Sequence, residues 1–153
     1  MRIQTILSSV GAVVAAVAVS ASDDAFMGTW KLNEAKSKIA EGAPKVMKVV
    51  YEPAGDHVKI TVDSTAADGS SLHEVWFGMF DGKGYNVQGN LSDLRSYAKV
   101  DARTLRFTAK KDDKVIITGT VKLSADGKSR TVARTDIDAK GKKVNSTNFY
   151  DKQ

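Results

Sequence analysis

Two histidines, His57 and His73, are the side chains that could move protons near neutral pH without help. Asp56-His57 opens an extended stretch after a turn, and in His73-Glu74 the alternation of a strand sends the two side chains to opposite faces. Both histidines therefore read as surface or edge residues, and acid–base chemistry in an interior site would require one of them to face it. Two histidines with no cysteine do not make a zinc site. Asp136-x-Asp138-x-x-Gly141 has the outline of a calcium loop, but Lys140 occupies a ligand position and Thr147 stands where a bidentate glutamate belongs; the segment reads as a hairpin turn. Gly82, Gly84 and Gly89 do not keep dinucleotide spacing and open no helix, and no serine sits in a nucleophile elbow. The chain thus offers no catalytic constellation, metal site or cofactor motif, and reads as a protein other than an enzyme.

What remains is binding chemistry, and the elements that must position it are strands. The 153 residues fit one domain, and 42% hydrophobic with 27% charged residues is an ordinary globular composition. The absence of cysteine excludes disulfides and lipoprotein anchoring, so stability rests on packing and backbone pairing. The start, MRIQTILSSVGAVVAAVAVSASDDAF, has Arg2, an alanine- and valine-rich run and a Val19-Ser20-Ala21 step of the small-x-small kind. These are the parts of a secretory signal cleaved near Ala21, dividing the chain into a signal peptide (1–21) and one domain (22–153) in the periplasm or outside the cell. Asp23 and Asp24 follow the run where a basic stop-transfer cluster would stand, so no transmembrane anchor is expected after processing. The net charge of +5 is spread through KKDDK, SADGKSR and DAKGKK, where lysines alternate with acids; no basic stripe or stacking platform for nucleic acid results.

From residue 45 onward, short runs of Val, Ile, Thr, Tyr and Phe alternate with turns such as PAGD, AADG, DGKG, KKDD, ADGK and AKGK. The spacing predicts ten strands, over 27–32, 45–53, 57–65, 70–80, 84–89, 94–100, 104–110, 114–124, 129–138 and 143–151. Links this short require antiparallel neighbours, and a long meander removes its exposed edges by closing. NEAKSKIAEG, between Asn33 as cap and Gly42 with Pro44 as stop, predicts one short helix of at most two or three turns. Inward faces are read at Val58, Ile60 and Val62, at Leu105 and Phe107, and at Val115, Ile117, Val121 and Leu123. VWFGMF is apolar on both faces, so Trp76 or Phe77 must be covered from outside. TVARTDID and KVNSTNFY have no wholly apolar face, so their inward sets carry polar groups, which points to water and a ligand in the lumen or to short, frayed strands.

GTWKLN with AKSK, VVYEPAGD, FDGKGYNVQGN, KKDDKV, SADGKSRTV and AKGKKVNSTNFYDKQ together resemble bacterial secreted proteins described as lipocalin-like, over nearly the whole segment after the signal. That group implies a fold and a compartment, with no established activity. In the wider calycin superfamily of lipocalins and fatty-acid-binding proteins, the first strand carries Gly-x-Trp, matched here by Gly28, Thr29 and Trp30. The resemblance implies that Gly28 and Trp30 plug one barrel end, with Arg134 or Arg130 beside the tryptophan. The Arg-x-Tyr clamp of fatty-acid carriers falls at Asn148-Phe149-Tyr150, where the arginine is missing.

The expectation is an all-β, antiparallel up-and-down meander barrel of 8–10 strands, lipocalin- or fatty-acid-binding-protein-like, with one short helix after the first strand. It would act as a monomer on a small hydrophobic or amphipathic ligand, with Trp76, Tyr85, Tyr97 and Arg134 lining the site. The alternative is a packed barrel that acts through its basic loops as an envelope interaction or inhibitor module.

Overall fold

The computed structural model describes residues 25–153; the expected signal segment and its cleavage at Ala21 lie outside the described residues. The alternating runs form ten strands: β1 (Gly28–Leu32), β2 (Lys45–Ala54), β3 (His57–Thr65), β4 (Ser71–Gly78), β5 (Asp81–Gly89), β6 (Leu94–Asp101), β7 (Thr104–Lys111), β8 (Lys114–Leu123), β9 (Ser129–Ile137) and β10 (Lys143–Lys152). Each pairs antiparallel with the next, and β1 pairs with β10 through Trp30–Lys152, Lys31–Asp151 and Leu32–Tyr150, which closes the barrel. The turn residues explain the connections. Asp112 and Asp113 take φ of 49° and 62°, the left-handed pair that a two-residue hairpin needs to follow strand twist.

Period-2 alternation places Val58, Ile60, Val62 and Ser64 inside on β3, and Ile117, Val121 and Leu123 inside on β8. Val115, expected inside with them, is 40% exposed. Its strand bulges: Ala109 faces Ile117 but Lys110 faces Val115, and the extra residue turns Val115 outward. The short helix expected after β1 is present at its shortest. Only a single 3-10 turn, Glu34–Lys36, forms behind the Asn33 cap. Lys38 then pairs its backbone with Thr147, and Ser37 Oγ donates to the Asn33 carbonyl and accepts from Phe149 N–H. Pairing with β10 satisfies these backbone groups in place of a helix too short to repay its nucleation.

The two sides of VWFGMF separate cleanly. Trp76 is fully buried, while Phe77 is 51% exposed and finds its cover in the His57 ring, stacked at 5.0 Å. β9 and β10 are full strands of 9 and 10 residues, and their inward set is polar as well as apolar: Arg130, Arg134, Asp136, Ser146 and Asn148 are all buried.

Candidate functional site

Rings fill one part of the barrel interior. Trp76, Phe80, Tyr97 and Tyr51 pack at centroid distances of 4.8–6.4 Å, Phe26 meets Phe80 at 6.0 Å, and Tyr97 reaches Phe107 at 5.8 Å. Trp30 is wholly buried and its Nε1 donates to the Phe26 carbonyl at 2.9 Å, so the chain entering β1 is tied over the tryptophan. Gly28 permits this: its φ is +118°, and a Cβ there would stand 2.8 Å from the Lys152 stem, whose ammonium lies 5.4 Å from the Trp30 ring centroid.

Two ion pairs are buried among the aliphatic side chains of the rest. Arg95 on β6 donates from Nη2 to Glu74 Oε1 on β4 at 2.7 Å, and Glu74 Oε2 accepts from Ser92 N–H at 2.9 Å. This pair spans a short seam of the sheet: β4 and β5 share three register positions, from Glu74–Gly89 to Trp76–Val87, as few as β1 and β10. Arg134 and Asp136 on β9 form a second buried pair through two hydrogen bonds, the Nε bond at 2.8 Å. Burial opposes charge on Arg95, but Tyr97 and Glu74 outweigh it and hold the guanidinium above its ordinary pKa. Burial, aided by Tyr51, pushes the Tyr97 hydroxyl well above the usual tyrosine range; burial also raises Tyr150 against the pull of Arg130.

Between these parts lies a cavity of ≈ 40 Å³, walled by Val46, Val49, Val62, Val121 and Val132 together with Phe107, Tyr51, Tyr97, Tyr150, Arg130 and Arg134. It has room for about three water molecules. Larger depressions of ≈ 470 and ≈ 500 Å³ lie against the outer face of β7–β10, lined by exposed or half-buried Thr108, Thr118, Thr120, Thr135 and Asn145, the last two bonded to each other at 2.7 Å. Neither presents an unpaired buried donor, so the lumen is the better candidate despite its size. Tyr150 Oη donates to the Val46 carbonyl at 3.1 Å and accepts from Asn148 Nδ2 at 3.3 Å, leaving Asn148 Oδ1 without a partner.

The four residues expected to line a site divide. Tyr97 and Arg134 are on the cavity wall. Trp76 lies behind Tyr97 in the ring cluster, its Nε1 donating to the Arg95 carbonyl at 3.0 Å. Tyr85 closes the β4–β5 seam: it packs 5.6 Å from Trp76, its hydroxyl donates to Asp81 at 2.8 Å, and it covers Gly78, where a Cβ would come within 2.6 Å of the ring. Arg130, rather than Arg134, stands over Trp30, at 4.9 Å from the ring centroid. The histidines do not reach the cavity. His57 Nδ1 contacts Asp56, and His73 Nδ1 contacts Asp63, each at 2.6 Å on the outer surface. Among the described residues no three His, Asp or Glu side chains converge as a metal site, and Asp138 caps its hairpin by accepting from Lys140 and Lys142 N–H. No helix among them is long and apolar enough to cross a membrane.

Sequence reading missed Glu74 and Arg95. The signal was present: each stands two residues from an inward aromatic, Trp76 and Tyr97, and so shares its face.

No family model matches the chain, and no curated protein does. Among solved structures it is similar to EF1p2_mFAP2b bound to DFHBI, with 12% identity, 86% of this chain and 97% of that one covered, and a TM-score of 0.52. It is also similar to a redesigned β-barrel, mFAP1, bound to DFHBI, with 14% identity, 86% and 98% coverage and a TM-score of 0.49. At such identities the likeness to the first shows a shared barrel fold.

Proposed function

We propose that the protein binds a small, partly apolar molecule in the barrel lumen. The observation that carries this reading is the central cavity, where valine methyls face tyrosine and arginine side chains across one space. Sites for small molecules have this make-up, an apolar wall with a few placed polar groups. At ≈ 40 Å³ the cavity fits a molecule of a few heavy atoms; anything larger enters by displacing side chains. The N-terminal segment and the lipocalin-like sequence pieces support placing this binding outside the cytoplasm, after cleavage near Ala21. The barrels bound to DFHBI are consistent with a fold that can host a small molecule, although the lumen chemistry here is its own.

A graded series of linear alcohols, butanol to octanol, tests the reading through Trp30 and Trp76 fluorescence and thermal unfolding. Saturable binding that raises Tm, strongest for the shorter members, is expected. A flat response across the series, with only the free protein seen by native mass spectrometry of the purified sample, would overturn it.

A further inference from the structure

In the sequence the lysines alternate with acids, but closing the barrel sorts them by face. Across β10, β1, β2, β3 and β4 the outward register Asp151–Lys31–Lys48–Asp63–His73 mixes both signs. Across β7 to β10 it does not. One outward row reads Thr108–Thr118–Thr135–Asn145, and the next reads Arg106–Thr120–Ala133–Thr147, continued by the bridge from Thr147 to Lys38. Lys143, opposite Ile137, stands beyond the first row, and neither row contains an acid. The acids that border them lie elsewhere: Asp81 and Asp101 on β5 and β6, Asp112 and Asp113 in the β7–β8 turn, and Asp138 capping the β9–β10 turn. The two outer depressions lie on these rows and share Thr118, Thr135 and Asn145, so they form one groove. Its floor is low because threonine and alanine are short, with Arg106 at one end and Lys143, Val115 and Ile137 at the other.

We propose that this outer groove is a second binding surface, independent of the lumen, and that it takes an acidic oligosaccharide. Two features select that class. The groove is cationic at both ends without an acid between them, which favours an anion. Its floor is a grid of hydroxyl and amide groups, each both donor and acceptor, which suits a ligand whose own groups do the same. A chain of uronic acids carries both: carboxylates for Arg106 and Lys143, and hydroxyls for the threonine rows. The rows cross four strands, about 14 Å at ordinary strand spacing, which suits an extended oligomer better than a single sugar. A string of acidic side chains would engage the cations and leave the hydroxyl grid to water. Nucleic acid would call for exposed rings to stack on, and Phe149, the one outward ring on β7–β10, is half-buried.

Three oligomers of equal residue count separate the two features: hexagalacturonate has charge and hydroxyls, maltohexaose hydroxyls alone, and hexaglutamate charge alone. Calorimetric titration of the whole protein at low salt should show saturable hexagalacturonate binding, about tenfold tighter than maltohexaose, the sum of a few exposed charge pairs. It should also be about threefold tighter than hexaglutamate, through the hydroxyl grid. Arg106→Gln with Lys143→Gln should weaken hexagalacturonate about tenfold, and Thr118→Val with Thr120→Val about threefold. Lys31→Gln with Lys48→Gln removes the same net charge from the opposite face and should change affinity by less than about twofold. Equal losses from the two cation pairs would mean attraction by net charge alone and overturn the proposal. So would equal binding of hexaglutamate with no effect of the threonine pair. Vesicles of phosphatidylglycerol bound through Arg106 and Lys143, with hexagalacturonate ignored, would assign the face to a membrane and overturn it too. No binding of hexagalacturonate by a folded sample would end it outright, leaving the lumenal reading to its own test.

Discussion

Where β4, β6 and the 90–93 connection meet, Arg95 is clamped by Glu74 and Ser92; where β1, β2, β9 and β10 meet, Arg130 is enclosed by Trp30, Tyr51 and Tyr150. Both guanidiniums are buried and both belong to inward faces of neighbouring architecture. The first is neutralised by a carboxylate on the far side of β5, and that bond spans the short β4–β5 register. The second, among the described residues, is faced by rings, which give it position and attraction, and by no carboxylate. One region answers its guanidinium with an acid, and the other surrounds it with ring faces.

The ring region should be the more costly to damage. Trp30→Ala removes a fully buried side chain, the donor that ties Phe26 and one of the three faces around Arg130. A loss of about 3–5 kcal/mol in denaturant unfolding is expected. A loss below about 1 kcal/mol would mean that the rings do not hold this end, and the contrast between the regions would collapse.

Two charge deletions sharpen the contrast next. Glu74→Gln keeps the shape but leaves Arg95 buried without its anion, and should cost about 3 kcal/mol. Arg130→Met removes a guanidinium that has no acid to orphan, exchanging ring attraction for relief of two unpaired buried donors. Its stability should stay within about 1 kcal/mol of the parent. Equal, large losses in both would show that Arg130 is a structural cation like Arg95.

The strands were legible in the sequence because their cause is local. Turn residues such as Asp112-Asp113 and the alternation Val58-Lys59-Ile60-Thr61-Val62 set bounds that the barrel keeps to within a few residues. Where a competing partner lay far along the chain, local pattern failed. Asn33–Gly42 carries helix formers and caps, yet β10 takes its backbone bonds at Lys38. Val115 alternates correctly and still faces out, since a bulge opposite Lys110 leaves no mark in the pattern. For the site, alternation brought Tyr97 and Arg134 to the cavity wall but could not say which arginine has a carboxylate. That depends on contacts across the barrel: Glu74 and Arg95 are 21 residues apart with β5 between them, whereas Arg134 reaches Asp136 on its own strand.

The smallest expected effect separates the two regions by pH, with one tyrosine in each. Tyr97 neighbours Arg95 and Tyr150 neighbours Arg130, and burial raises both hydroxyl pKa values, Tyr97 by more. A proton held more tightly in the folded than in the unfolded state contributes stability that is complete below the unfolded value of about 10 and is lost as pH rises past it toward the folded value. Alkaline unfolding should therefore begin above about pH 10, and the tyrosinate absorbance of these two residues should rise together with the loss of near-UV circular dichroism, not before it. Tyr97→Phe removes the larger linkage and should move the alkaline midpoint upward by on the order of half a pH unit, with Tyr150→Phe moving it less. Tyr150 has the Arg130 cation against it to ease ionisation, so a larger upward shift from Tyr150→Phe than from Tyr97→Phe would mean that the Arg130 charge is already answered in the free protein.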